Sequence, residues 1–179
     1  MKITKLLSII ALAANPLLAS AEDGSNSLVE NGTFKKNGMG WESVTKEECG
    51  SVEYIQEEEE GYARLSPINS KYPNIVMSQR SFVPTDGGEF LASAKIRVSA
   101  DYDQAKPPQV SFNVFNPSGT EPRSQQFSLK PSEFAEPGKW TEVTLPVTIP
   151  AGSPRVYIQC TAYGKAGTVD FTEVTLKAK

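Results

Sequence analysis

The sequence predicts an all-β fold, and three observations carry that prediction. About ten short runs alternate apolar and polar residues with the period of two that a strand imposes. Thirteen glycines and thirteen prolines punctuate the gaps between those runs. No stretch sustains a helical period. Short strands spaced in this way fold as an antiparallel sandwich or barrel.

The first residues, MKITKLLSIIALAANPLLASA, place Lys2 and Lys5 before an apolar run from Leu6 to Ala14. Ala19-Ser20-Ala21 fits a small-residue cleavage site, so residues 1–21 read as a secretory signal peptide. The run is too short for a membrane anchor, and Asn15-Pro16 interrupts it. Residues 22–27 form a polar leader, and residues 28–179 form one domain large enough to bury a core.

Within that domain Leu28–Phe34 reads as a first strand turning at Asn31-Gly32, followed by Trp41 as a core anchor. Ser51–Gln56 and Tyr62–Ser66 are strands separated by EEEEG, whose like charges belong at a solvated tip rather than around calcium. A loop, Pro67–Pro73, precedes the strand Asn74–Val83. Glu89–Val98 alternates most cleanly: Phe90, Ala92, Ala94, Ile96 and Val98 face one way, Leu91, Ser93, Lys95 and Arg97 the other. Beyond a loop at Asp101–Pro108, Gln109–Asn116 puts Val110, Phe112 and Val114 inward and Ser111, Asn113 and Phe115 outward. Ser124–Lys130 and Trp140–Ile149 complete the middle of the chain.

Pro154–Leu176 reads as a hairpin around Gly164 and Gly167. Val156, Ile158, Cys160 and Ala162 supply core, while Tyr157, Gln159, Thr161 and Tyr163 make the opposite face polar and aromatic. A phase change between Phe171 and Val174 predicts a bulge near Thr172.

Charge and composition exclude several functions. The chain carries a net charge of −3 and the mature part −5, which gives no footprint for nucleic acid or an anionic membrane. With no histidine, nucleophile–histidine catalysis and histidine zinc sites are absent. No phosphate-binding loop, dinucleotide fingerprint or nucleophile elbow occurs. A glycosidase-like carboxylate pair is the remaining catalytic option, and no spacing singles one out. The expected protein is therefore not an enzyme. Cys49 and Cys160, an even pair in an exported chain, are expected to form a disulfide, the alternative being two free thiols with Cys160 buried. Asn31-Gly32-Thr33 is a glycosylation sequon, of use only in a eukaryote.

Four segments carry a family resemblance. LVENGTFKKNGMGW resembles the N-G-x-F … G-W opening of carbohydrate-binding module families 4, 9 and 22. GEFLASAKIRVS resembles their middle strand, GKWTEVTLPVTIP their W-x-x-V … I-P strand, and GTVDFTEVTL their terminal acidic strand. The resemblance implies a jelly-roll β-sandwich, galactose-binding-domain-like, that holds a polysaccharide or oligosaccharide without cleaving it, and the motif positions of Trp41 and Trp140 imply that both pack inside. It also implies a structural calcium ion where the opening motif meets the last strand. There Asp170 matches the family's first acid, but Lys35 and Phe171 replace others, leaving Asp170 and backbone carbonyls as the ligands. Alternatively, Asp170 hydrogen-bonds a neighbouring loop.

Sugar recognition needs flat aromatic surface for C–H faces and planar polar groups for hydroxyls. The outward residues that supply them are Lys95, Arg97, Asn113, Phe115, Tyr157, Gln159 and Tyr163, one platform if their three strands share a sheet. Tyr72 and Tyr102 are loop aromatics that would edge the cleft. The expectation is a secreted or periplasmic glycan-binding module. The alternative is a sandwich used for contact with a protein of the same secretion or envelope system.

Overall fold

The structure, a computed structural model, describes residues 26–58, 60–68, 74–102, 106–115, 117, 124–130 and 136–179. The signal peptide, most of the leader and residues 69–73 of the Pro67–Pro73 loop, Tyr72 among them, lie outside the described residues. Ten strands are described: β1 (Glu42–Ser43), β2 (Gly50–Glu57), β3 (Glu60–Pro67), β4 (Asn74–Phe82), β5 (Gly88–Val98), β6 (Gln109–Phe115), β7 (Ser124–Leu129), β8 (Thr141–Ile149), β9 (Arg155–Tyr163) and β10 (Val169–Ala178). A single 3-10 turn, Glu47–Cys49, is the described helix.

The strands form two antiparallel five-stranded sheets, a front sheet ordered β1-β4-β9-β6-β7 and a back sheet ordered β2-β3-β10-β5-β8. Neighbours in each sheet are mostly distant in sequence, because the chain crosses between sheets at almost every connection. The predicted all-β antiparallel sandwich is the architecture observed.

The inward sets read from alternation meet between the sheets. Phe90, Ala92, Ala94, Ile96 and Val98 of β5 are buried, as are Val110, Phe112 and Val114 of β6 and Val156, Ile158, Cys160 and Ala162 of β9. Trp41 packs against Phe34 at 5.2 Å between ring centroids. Burying such side chains is worth roughly 1.5–3 kcal/mol each.

Three expectations about connectivity are corrected. The last two strands are not a hairpin: β9 pairs with β4 and β6, whereas β10 pairs with β3 and β5. Alternation specifies a face of a strand but not the sheet it joins. The residues from Leu28 to Phe34 are turns rather than a strand, with Asn31 and Phe34 at φ 48° and 55°. Gly32 passes so close to β10 that a Cβ there would run into the Val174 carbonyl oxygen. Asn31 braces this opening, its Nδ2 donating to the carbonyls of Asn37 at 2.7 Å and Met39 at 3.1 Å. The Trp41 indole N–H donates to the carbonyls of Glu30 and Asn31. Thus the motif that looks like a family signature is a polar knot seating a tryptophan.

The disulfide is also corrected, since Cys49 and Cys160 are both buried free thiols. Cys160 faces the core from the central strand of the front sheet, where burial pushes its thiol pKa up. Cys49 closes the 3-10 turn beside β2, the outermost strand of the back sheet. An even count said nothing of where those two positions fall.

The bulge expected near Thr172 is present. The β10–β5 register shifts between Thr172 and Thr175, with Glu173 at φ 49°. At the start of the described chain Ser27 bridges to Lys177, and the Leu28 N–H donates to the Leu176 carbonyl at 2.8 Å.

Candidate glycan-binding face

The outer face of the front sheet follows from strand register, since directly paired residues share a face. At one end Phe82 of β4 lies opposite Arg155 of β9, with Phe115 of β6 beside it. The next row is Arg80, Tyr157, Asn113 and Gln126; after it come Ser78, Gln159, Ser111 and Ser128. Thr161 and Gln109 follow, and Tyr163 ends the face opposite Asn74. From Tyr157 to Tyr163 the platform runs roughly 20 Å.

Its middle is a floor and its ends carry the rings. Ser111 and Thr161 point outward yet are only 1% and 5% exposed, whereas Tyr157, Gln159 and Tyr163 are half-buried. Asn113 Nδ2 donates to Gln159 Oε1 at 3.0 Å, which fixes both amide planes. Gln109 Nε2 donates to the Tyr163 hydroxyl at 2.9 Å. Partial burial raises the pKa of the Tyr163 phenol. Phe115 and Tyr157 meet edge to face at 5.4 Å. The Arg80 and Arg155 guanidiniums lie 4.9 and 5.2 Å from the centre of the Tyr157 ring. Lys106 stands 5.6 Å from that of Tyr163.

Five of the seven sequence-predicted residues are therefore brought together: Asn113, Phe115, Tyr157, Gln159 and Tyr163. The other two, Lys95 and Arg97, do point outward, but from β5 in the back sheet. There Lys95 Nζ pairs with Glu173 at 2.6 Å, and Arg97 binds Asp170 at 2.8 Å. Tyr102 does not edge a cleft. It is buried, and its hydroxyl accepts from the Tyr163 N–H at 3.0 Å.

Sequence reasoning missed Phe82, Arg80 and Arg155. Phe82 is 82% exposed at the end of the face, an uncommon position for a ring that size. The signal was available: Ile75 and Met77 inward require Arg80 and Phe82 outward in the same strand.

Asp170 does not fit the calcium ion that the resemblance implies. Both its oxygens are taken by guanidiniums: Arg64 Nε donates to Oδ1 at 2.8 Å, Arg64 Nη2 to Oδ2 at 3.0 Å and Arg97 Nε to Oδ2 at 2.9 Å. A divalent cation there would face two fixed positive charges. Among the described residues no three acidic or thiol groups gather as a metal site. Trp140, expected inside, is half-buried on this outer back face, with Arg97 4.3 Å from its ring centre and Tyr62 packed edge-on at 5.9 Å.

No family model matches the chain, and no curated protein matches it in sequence. Solved structures do match. TmCBM61 in complex with β-1,4-galactotriose superimposes with a TM-score of 0.58 at 13% identity, over 87% of this chain and all of that one. The CBM22-1–GH10 modules of Clostridium thermocellum xylanase 10B, complexed with xylohexaose, give 0.63 at 14% identity over 87% of this chain and 29% of that one. A family 4 carbohydrate-binding module gives 0.52 at 18% identity, over 84% and 99%. The fold is that of the carbohydrate-binding β-sandwiches, as the resemblance to families 4 and 22 implies.

Proposed function

We propose that this chain is an exported, non-catalytic module that binds a polysaccharide or oligosaccharide on the outer face of its front sheet. One observation carries the reading: Tyr157 and Tyr163 share one face, with Gln159 between them and Asn113, beside Tyr157, hydrogen-bonded to Gln159. Rings at both ends offer surface to pyranose C–H groups, and the two linked amides offer planar donors and acceptors to hydroxyls. The fold neighbours bound to galactotriose and xylohexaose support the same reading. Binding without cleavage is supported by charge, because Glu42 is the sole carboxylate on the described strands of this sheet.

Affinity electrophoresis and calorimetry against soluble glycans, with pull-down on insoluble ones, test the proposal. Retention on at least one glycan, weakened by Tyr157→Ala with an unchanged circular dichroism spectrum, is the expected result. Retention on none, with a stable protein partner recovered by cross-linking in an envelope extract, would replace it with a protein-contact role.

A further inference from the structure

The face contains two arginines that no described residue neutralises. Arg64 and Arg97 on the back sheet close onto Asp170, whereas Arg80 and Arg155 on the front sheet have no carboxylate partner among the described residues and rest against Tyr157. They occupy diagonal positions on adjacent strands, since Arg80 is opposite Tyr157 and Arg155 opposite Phe82. Two like charges therefore share one end of the platform with no carboxylate between them among the described residues. The Arg155 Nε–H is moreover buried without an acceptor among the described residues. The single acid of the sheet, Glu42, stands on the edge strand beside Ser78, one row from Arg80. Lys106 adds a cation at the Tyr163 end. All of this occurs on a chain whose net charge is −3, so the basic face runs against the overall balance.

Resting on the glycan-binding reading above, we propose that the ligand is an anionic glycan, its carboxylate or sulfate groups held by Arg80 and Arg155. Guanidinium is planar and presents paired N–H donors whose spacing matches the oxygens of either group. Phe115 and the Tyr157 ring would then flank the sugar that carries the charge.

Calorimetry on the full chain tests this with polygalacturonate, a sulfated galactan, neutral galactan and neutral xylan, at low and high salt. At least one acidic polymer should bind about tenfold tighter than both neutral ones, and its affinity should fall as salt rises. The carboxylated and sulfated arms decide which anion is read. Arg80→Gln, at an exposed position, should lose about fivefold or more on the acidic glycan. Arg155→Lys, which keeps the charge but not the fork, should lose less than Arg155→Gln. Lys139→Gln, a charge change elsewhere, should leave binding unaltered. Neutral glycans bound as tightly as acidic ones, or an Arg80→Gln variant equal to wild type on the acidic polymer, would overturn the inference and leave the glycan-binding reading standing. Failure of all four polymers to bind would overturn the inference, and a further failure across the wider glycan panel would remove the reading beneath it.

Discussion

On the outer back sheet, arginine, tyrosine and tryptophan close around a buried carboxylate, whereas on the outer front sheet arginine, tyrosine and phenylalanine surround none among the described residues. The side-chain types are nearly the same. Arg97 lies 4.8 Å from the Tyr62 ring centre much as Arg80 lies 4.9 Å from that of Tyr157. What differs is Asp170, whose side chain is 4% exposed and bonded to both back-sheet arginines. Hydrogen bonding to it raises the Arg64 pKa further above an already high value. An internal counter-ion turns a cationic cluster into part of the scaffold. Its absence leaves the equivalent cluster free to meet something from solution.

The largest effect that would sharpen this contrast is on the back face. Asp170→Asn should destabilise the fold by about 2–3 kcal/mol in urea denaturation, less than a wholly buried pair because both arginines are partly exposed. Glycan affinity measured below the transition should stay unchanged. Loss of glycan affinity without loss of stability would reverse the assignment of the two faces.

On the front face, Tyr157→Ala should cost about 1–2 kcal/mol of binding, roughly five- to thirtyfold in Kd. Tyr163→Phe removes only the hydroxyl that accepts from Gln109, and about 0.5–1 kcal/mol of stability should go with it. Lys95→Gln breaks an ion pair whose partner is half exposed, so less than about 0.5 kcal/mol should be lost and binding should not change.

An alkaline titration touches both faces. Tyr62 and Tyr163, with Tyr54 beside the core, are held above the ordinary phenol value of 10.0, in each case chiefly by burial. A raised folded-state pKa means that folding favours the protonated ring. This contribution is fully present below pH 10 and is lost as pH climbs through the higher folded values. The urea midpoint should therefore fall above about pH 10. A midpoint that rises there would contradict the burial of these hydroxyls.

Much of this was legible in the alternation of β5, β6 and β9, where period two alone sorted every inward residue from its outward neighbours. It was silent on sheet membership. Arg97 and Tyr157 both read as outward, and only long-range pairing puts them on opposite sides of the molecule. The Asp170 cluster was illegible for the same reason: its three members are more than thirty residues apart and meet only through β3, β10 and β5. Trp140 misled because a tryptophan can be covered by stacked cations on an outer face as well as by aliphatic side chains within. The Leu28–Phe34 stretch misled because its hydrophobes seat a turn. Arg80 and Phe82, by contrast, were readable from the parity of β4.

The bridge from Ser27 to Lys177 has an architectural consequence. Both ends of the folded unit emerge together on the back sheet, behind the tyrosines. A passenger fused to either end would hang from the side facing away from the ligand. A short loop joining the two ends, with new termini opened in a surface turn, should give a circular permutant with the same recognition surface.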